Sequence, residues 1–509
     1  MVGPRTDRKV LKRWAPLALP LLCLLASVPL KLWTDAGGPL WLDEGWTLAI
    51  VQTRGAAFLR ELGWDPNPPL YFVTLKAWTA LAGVSNDALR TPSVMAAVAA
   101  PLFALLPGTG LPRRERWMWA ALIALWIPGV FFAQEARGYS LLFALEVAAA
   151  ALFLRVLSAP TLGRAAAWCG AASLCLLTHH HALILAAFQG VALLAVYRER
   201  AVRLWPAALL FAPAFGWLLI HAHRVAAFAD PAFAWYPPME PGDALSALDY
   251  GVGGRVLLIA TVGLAAIGVA WRRWFPVGSE EPSEALLPRV LWVPVICAAL
   301  GLTLVTGLGY LRPSFAFRYL TPYAPGLILA IPLLLQAAAR ERAAALGAVV
   351  MSLALMLAVI VGFTADNVAR RTLQYEAASA DLMASGVHRV AFLWDNPTNR
   401  VLTPPERLTL ARTFFDRRRY PVRVEALVTT PTDDPAAVLY AHAPAENYGF
   451  IWLYDMRVPG TAAKLHPPRS SPLRTCLACA TYAPDGGAMG VLACRRVVPT
   501  SPTPAPAPR

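Results

Sequence analysis

The sequence contains few charged residues. Only 15% of its 509 residues are Asp, Glu, Lys or Arg, and 57% are hydrophobic, whereas soluble domains carry about 25% charged residues. This balance excludes an ordinary soluble protein and indicates a polytopic membrane protein. Acidic residues are the scarcer charges, 31 against 45 basic ones. The basic residues cluster in short loops between apolar runs, where they set membrane orientation, so we expect no nucleic-acid partner.

Cysteine is also scarce, and its seven copies fall into two groups. Four lie in apolar runs and are expected to be packing residues: Cys23, Cys169, Cys175 and Cys297. The other three, Cys476, Cys479 and Cys494, lie in the polar C-terminal part. One C-x-x-C pair does not define a metal site. A zinc site completed by His466 is the alternative to one disulfide, which we expect if this part lies outside the cytoplasm.

Long apolar runs predict about eleven membrane spans, because about 20 helical residues cross the roughly 30 Å core of a bilayer. A cleaved signal peptide competes with an anchored helix for the first run, and we expect the anchored helix because its apolar part is long and more spans follow. The runs are 14–33, 87–107, 117–133, 138–157, 164–180, 181–197, 203–222, 251–271, 288–309, 318–338 and 343–363.

A shorter stretch, 67–83, contains Lys76 and is entered through prolines, so it either spans the membrane or lies along its surface. If it does not cross, the basic clusters 113–116, 198–203 and 340–342 all fall on the side of the N-terminus. The positive-inside rule favours that arrangement. The sequence therefore predicts a cytoplasmic (inner) membrane protein with its N-terminus in the cytoplasm and its C-terminal part outside.

The composition changes after Phe363 and predicts three domains. Residues 1–365 form the membrane domain, 366–495 a small extracytoplasmic α/β domain, and 496–509 a disordered Pro-rich tail. Within the second domain we expect a helix from Pro404 to Arg419, opened by prolines that a first helical turn accepts. Short β-like runs surround it, at 390–394, 422–428, 449–453 and 489–494.

Two adjacent carboxylates, Asp43 and Glu44, follow the first span within Trp41-Leu42-Asp43-Glu44-Gly45-Trp46. Neighbouring residues on a helix point about 100° apart, so the two carboxylates serve different partners. One is a candidate general base for an acceptor hydroxyl, and the other orients substrate or caps the following helix. The alternatives are solvated loop charges and helix capping by Asp43.

Other polar groups lie at the outer ends of the spans, where we expect a site between helices. Arg137 either pairs with Glu135 or binds an anionic substrate, since its planar fork suits phosphate. Arg318, beside Tyr319, either binds phosphate or snorkels to the interface. His179, His180 and His181 are consecutive and cannot all bind one metal, so we predict no metal. They are interfacial polar groups, or one of His179 and His180 contacts substrate.

Six motifs occur in an order that resembles the GT-C glycosyltransferases of the protein-mannosyltransferase and aminoarabinose-transferase type. The resemblance covers about residues 10–365, and the combination of motifs is more specific than any one of them. The motifs are W-L-D-E-G from Trp41, N-P-P-L-Y-F-V-T-L-K-A-W from Asn67, A-L-R-T-P-S from Ala88, F-F-A-Q-E-A-R-G-Y-S from Phe131, L-L-T-H-H-H from Leu176 and F-R-Y-L-T-P-Y from Phe317.

The resemblance implies an inverting hexosyl- or pentosyltransferase that uses a polyprenyl-phosphate-linked sugar and no other cofactor. It implies two helices lying on the membrane in the first outer loop. Asp43 would be the base or position the acceptor, and Glu44 would complete the pair. Glu135, Arg137 and Tyr139 would line the cavity, with Arg318 near the lipid phosphate. Asn67 departs from the family, which often has His or Lys there, so a phosphate contact at this position is not implied.

Two other classes of function compete with the transferase. A transporter or flippase of a lipid-linked saccharide would have similar spans, but the sequence lacks the inverted repeat that many transporters show. A cell-envelope assembly component would use its outer domain to bind a partner. The acceptor of a transferase, whether lipid, glycan or protein, depends on pocket shape.

Overall fold

Helices make up most of the chain, and a small sheet lies near its C-terminal end. The computed structural model describes residues 5–32, 38–228, 239–274, 288–312, 315–364, 375–395, 404–429, 433–441, 447–455, 477–482 and 489–497. The chain divides into two compact units, which we call the membrane unit and the outer unit after the locations that the sequence predicts for them. The membrane unit comprises Met1–Ala36 and Leu62–Ala365, and the outer unit comprises Gly37–Glu61 and Asp366–Arg509.

The α-helices up to residue 364 are α1 (Arg5–Leu32), α2 (Leu42–Gln52), α3 (Gly55–Trp64), α4 (Leu70–Ala82), α5 (Asn86–Ala104), α6 (Arg113–Ala124), α7 (Ile127–Phe132), α8 (Tyr139–Ser158), α9 (Leu162–Leu176), α10 (Ala182–Tyr197), α11 (Glu199–Val202), α12 (Ala212–Phe228), α13 (Asp243–Val252), α14 (Arg255–Trp274), α15 (Val293–Leu311), α16 (Ala324–Ala339) and α17 (Ala343–Thr364). Short 3₁₀ helices occupy Trp205–Phe211, Arg289–Trp292, Phe317–Tyr323 and Arg340–Arg342.

Several of these helices are long and apolar enough to cross a membrane, which makes the chain a multi-pass membrane protein. Within the described residues there are six such segments: Tyr139–Ser158, Trp205–Ala227, Arg255–Trp274, Arg289–Leu311, Phe317–Ala339 and Ala343–Phe363. Shorter apolar helices are Leu17–Leu32, Leu70–Ala82, Leu162–Leu176 and Ala182–Tyr197. The expected count of about eleven spans is not confirmed.

The run 117–133 differs from the single span that its hydropathy predicts. It forms two helices, α6 and α7, which are interrupted at Leu125 and Trp126. Pro128, in the first turn of α7, lacks the backbone N–H that a continuous helix would use. The Trp126 ring stacks on Phe143 of α8 at 4.3 Å, and its Nε1 donates to the Tyr250 carbonyl at 2.9 Å. The interruption therefore places a large aromatic anchor in the core beside α8.

The outer unit contains a five-stranded sheet in the order β2-β1-β3-β5-β4. The strands are β1 (Arg389–Asp395), β2 (Arg423–Leu427), β3 (Tyr448–Asp455), β4 (Leu477–Tyr482) and β5 (Met489–Arg496), and the helices are α18 (Tyr375–Ala384), α19 (Pro404–Arg417) and α20 (Pro435–Ala441). β1 pairs in parallel with β2 and β3, and β5 pairs antiparallel with β3 and β4. The central strand β3 is buried on both faces from Phe450 to Tyr454, and this stretch is a continuous apolar and aromatic run, as such a strand requires.

The predicted α/β region is confirmed for its helix and for all four β-like runs. A disulfide joins Cys479 and Cys494, which face each other across β4 and β5 with their Cα atoms 4.0 Å apart. The disulfide expected among the C-terminal cysteines is therefore confirmed. Cys476, His466 and the tail 498–509 lie outside the described residues.

Candidate functional site

Glu135 and Arg137 lie in the turn between α7 and α8, and both side chains are buried. The turn is held from α5, where the Ser93 hydroxyl donates to the Arg137 carbonyl at 3.2 Å. The Tyr71 hydroxyl lies 3.3 Å from that of Ser93. A side chain in place of Gly138 would lie 3.3 Å from Tyr71 Cβ, so the turn and α4 pack at backbone distance. The backbone at Arg137 is thus held by α4 and α5.

The three histidines form the turn between α9 and α10. The His179 ring is buried, with its centroid 5.0 Å from Tyr319 and 6.2 Å from Tyr139. His181 stacks on Tyr319 at 4.9 Å. Three elements distant in sequence, the start of α8, the histidine turn and the 3₁₀ helix 317–323, therefore meet at His179.

Arg318, in the 3₁₀ helix Phe317–Tyr323, lies beside the same aromatic rings. Its guanidinium carbon lies 5.8 Å from the Tyr139 ring centroid and 5.9 Å from that of Tyr319, within range of a cation–π interaction. The Thr321 hydroxyl donates to the Arg318 carbonyl at 2.7 Å and lies 2.9 Å from the Tyr250 hydroxyl. The structure thus brings Tyr139, His179, Tyr319 and Arg318 together, and we call these four residues the Arg318 cluster.

His180 belongs to a different pair. Its Nε2 lies 3.4 Å from Nδ1 of His221 in α12, and the two ring centroids are 5.7 Å apart. Of the two histidines predicted as substrate contacts, only His179 therefore lies in the Arg318 cluster. His221 is a lone histidine inside an apolar run, so no sequence signal marks it as part of a site.

A small cavity opens beside Arg137 and His179. Asn67 is one of its lining residues and donates from Nδ2 to Asp65 Oδ1 at 2.8 Å. The other lining residues are Pro68, Tyr71, Phe72, Gly138, Tyr139 and Thr178. Within the described residues, no group of three His, Cys, Asp or Glu side chains is arranged to hold a metal ion.

Burial keeps His179 and His181 neutral at neutral pH, and neighbouring positive charges add to this effect at His179. Burial lowers the pKa of His179 well below the usual value, and His181, His180, Arg318 and Arg137 lower it further because a second positive charge would be repelled. Burial also lowers the pKa of His181 to about 4. At neutral pH the positive charge near His179 therefore comes from the two guanidinium groups, which suits an anionic group such as a phosphate.

The depressed histidine pKa values predict loss of stability in acid. Burial, helped by His221 and His181, lowers the pKa of His180 from 6.5 to about 4. Between these values the unfolded chain binds a proton that the folded chain does not, so the free energy of unfolding falls as the pH falls through this window. From pH 7 to pH 5 we expect His180 alone to cost roughly 2 kcal/mol of stability, seen as a lower melting temperature.

His180→Gln tests this origin, because glutamine does not titrate. In this variant the melting temperature is expected to fall less on acidification from pH 7 to pH 5. Substitution of the exposed His223 in His223→Gln is expected to leave the full decrease. Equal slopes in His180→Gln and the parent protein would show that His180 is not responsible.

The acidic pair lies in the outer unit, at the start of α2. Glu44 is fully buried, and its Oε2 accepts from the Trp41 N–H at 3.3 Å, so Glu44 caps its own helix. The Asp43 carbonyl accepts from the Thr47 hydroxyl at 2.9 Å, and the Asp43 side chain is half-buried. The two carboxylates thus have different environments, as their spacing predicts, and Glu44 forms the capping box of α2.

Known proteins show the same fold. No protein-family model matches the chain, and no curated protein matches it. The structure of ArnT from Cupriavidus metallidurans in the apo state is similar, with a TM-score of 0.55 and 13% identity over 95% of this chain and 98% of that one. The structure of ArnT from the same organism bound to undecaprenyl phosphate gives a TM-score of 0.52 and 13% identity over 96% and 98%. The chain therefore has the fold of ArnT from Cupriavidus metallidurans, in line with the resemblance of its motifs to the aminoarabinose-transferase type.

Proposed function

We propose that the protein is a membrane glycosyltransferase that moves a sugar from a polyprenyl-phosphate carrier to an acceptor. The observation that carries the proposal is the placement of Arg137 and Arg318 around the neutral His179, in a chain with the ArnT fold. Arg137 lines the cavity together with His179 and Tyr139, and Arg318 lies over the rings of Tyr139 and Tyr319. Cations and aromatic rings beside a cavity are typical of a ligand site between helices.

The donor is proposed to bind through its phosphate. Two guanidinium groups match the charge of a phosphodiester and can donate several hydrogen bonds to its oxygens. One of the similar ArnT structures is bound to undecaprenyl phosphate, which supports a lipid of the same kind here. Tyr139 and Tyr319 offer ring faces on which a sugar or prenyl group can pack.

Sugar transfer is proposed as a single inverting displacement. Asp43 takes the proton of the acceptor hydroxyl, whose oxygen forms a bond to the anomeric carbon from the face opposite the phosphate. The bond from that carbon to the phosphate oxygen breaks, and its electron pair leaves on the lipid phosphate. Arg137 and Arg318 stabilise the negative charge that develops there. The role of Asp43 is supported by its place in the W-L-D-E-G motif.

The reaction is proposed to occur on the outer face of the cytoplasmic membrane, with the N-terminus inside. The basic clusters 113–116, 198–203 and 340–342 support this orientation. An alkaline phosphatase fused after Phe363 is expected to be active, because that enzyme folds only outside the cytoplasm. If only a cytoplasmic reporter fused at the same position were active, the orientation would be wrong.

The lipid that co-purifies with the protein tests the donor. Mass spectrometry of the detergent-purified protein is expected to detect a polyprenyl phosphate or its glycoside, and Arg137→Gln is expected to retain much less of it. Phospholipid alone in both samples would contradict the proposal. If the protein, reconstituted in vesicles, moved the bound glycoside across the membrane without releasing polyprenyl phosphate, it would instead be a flippase.

A further inference from the structure

The helix that carries the acidic pair, α2, belongs to the outer unit, although more than 300 residues of sequence separate it from the other helices and strands of that unit. α2 packs on α19, and Gly45 lies against the Phe414 ring. A Cβ atom at position 45 would be 3.3 Å from Cζ of Phe414, tighter than an ordinary van der Waals contact. The glycine of W-L-D-E-G therefore allows α2 to approach α19 closely, one residue after Glu44.

A carboxylate of the outer unit holds the residue just before α2. Glu376 of α18 accepts from the Leu40 N–H through Oε2 at 2.8 Å. Its other oxygen, Oε1, accepts from Arg417 Nη1 of α19 at 3.2 Å. The side chains of Arg417 and Glu376 are only 11% and 16% exposed, so water screens this pair weakly.

The start of α2 is thus fixed twice by carboxylates. Glu376 accepts a hydrogen bond from the Leu40 N–H, and Glu44 accepts one from the next amide, that of Trp41. Both amides precede the first helical residue, Leu42, and Asp43 is the second. Since a carboxylate accepts strongly from backbone N–H groups at a helix start, this double contact sets the position and direction of the first turn.

We propose that Glu376 and Arg417 are positioning residues that hold the Asp43 carboxylate in its working direction. The inference rests on the proposed role of Asp43 as base. It assigns the outer unit a part in the chemical step, because its ion pair fixes the backbone from which Asp43 projects. Positioning of a base matters because a displacement of about 1 Å can cost on the order of 100-fold in rate.

Glu376→Gln in the full-length protein is the first test. Glutamine keeps an oxygen for the Leu40 N–H but loses the charge that binds Arg417. Turnover is measured as release of undecaprenyl phosphate from a lipid extract of the native membranes. We expect kcat to fall roughly 10- to 100-fold with KM for the extract unchanged. Arg412→Ala is the matched control, since its pair with Asp416 lies on the same helix but is about half exposed, and it is expected to keep full turnover.

Hydrogen exchange distinguishes positioning from general damage. In Glu376→Gln, amides of residues 40–48 are expected to exchange faster, while those of β3 stay protected. Gly45→Ala provides a second variant, because its methyl group pushes against Phe414, and Phe414→Leu in the same chain is expected to restore turnover. If Glu376→Gln matches Arg412→Ala in turnover and exchange, or if Phe414→Leu fails to rescue Gly45→Ala, the inference is overturned.

A double substitution separates this inference from the proposed function. If Glu376 acts through Asp43, adding Glu376→Gln to Asp43→Asn causes no further loss of turnover. Full activity of Asp43→Asn would instead overturn the role of Asp43 itself. An inactive Asp43→Asn together with a fully active Glu376→Gln would leave the proposed base in place and reject only the positioning role.

Discussion

Asp43→Asn is expected to lower the rate of sugar transfer by roughly 10²- to 10⁴-fold, the usual loss on removing a general base, or about 3 to 5 kcal/mol of barrier. Asparagine has the same shape and still forms hydrogen bonds, but it does not accept a proton at neutral pH. Because Glu44 already caps α2, the substitution is expected to leave the melting temperature unchanged. Binding of the lipid should also be unchanged, since the proposed phosphate contacts are Arg137 and Arg318.

The measurement is release of undecaprenyl phosphate from a lipid extract by the purified variant, with a thermal melt as the control for folding. Asp87→Asn is a matched control, because Asp87 is also in the first turn of a helix but is exposed. If Asp43 merely interacted with its helix start, asparagine would replace it well and activity would barely change. Parental turnover in a folded Asp43→Asn protein would therefore remove Asp43 from the mechanism.

Hydropathy and alternation predicted the elements of the fold better than their boundaries. The apolar runs all contain helices, because burial in a membrane requires a long apolar segment. A hydropathy window does not detect a local break such as Pro128, which divides α6 from α7. β4 (Leu477–Tyr482) was missed because its alanines and cysteine resemble neither an alternating nor a continuous apolar strand. Its register is fixed by pairing with β5, which the local sequence does not reveal.

The candidate site was predictable as a set of motifs but not as a geometry. Tyr139, His179, Tyr319 and Arg318 were all named from sequence, and the structure places them in contact. Ser93 stands in a quoted motif, but its bond to the Arg137 carbonyl spans 44 positions and cannot be read from residue order.

The association of α2 with the outer unit was equally hidden in the sequence. The hydrogen bond between Leu40 and Glu376 links positions 336 residues apart. Hydropathy does not predict that residues 37–61 belong to the outer unit, because short amphipathic segments after a span are equally suited to the membrane surface. Such long-range pairings are decided by side-chain packing, for example that of Gly45 against Phe414.

Substitution of Arg318 is expected to differ from Asp43→Asn in its effect on lipid binding, because it removes a phosphate contact instead of a base. Arg318→Gln should lower turnover by roughly 10²- to 10³-fold, as loss of one charge-stabilising donor does. It should also weaken binding of undecaprenyl phosphate, which Asp43→Asn leaves intact. Binding is measured by quenching of protein tryptophan fluorescence on titration with the lipid in detergent, and turnover by release of the same lipid.

Arg318→Lys decides between phosphate recognition and snorkelling. A lysine snorkels as well as an arginine, so the snorkelling alternative predicts a fully active variant. A phosphate contact predicts a clear loss, because lysine lacks the planar fork that donates two parallel hydrogen bonds and stacks over Tyr139 and Tyr319. Arg312→Gln, an exposed cation at the end of α15, serves as the control and should behave like the parent protein. Full lipid binding and turnover in Arg318→Lys would assign Arg318 to the interface and leave Arg137 as the principal phosphate ligand.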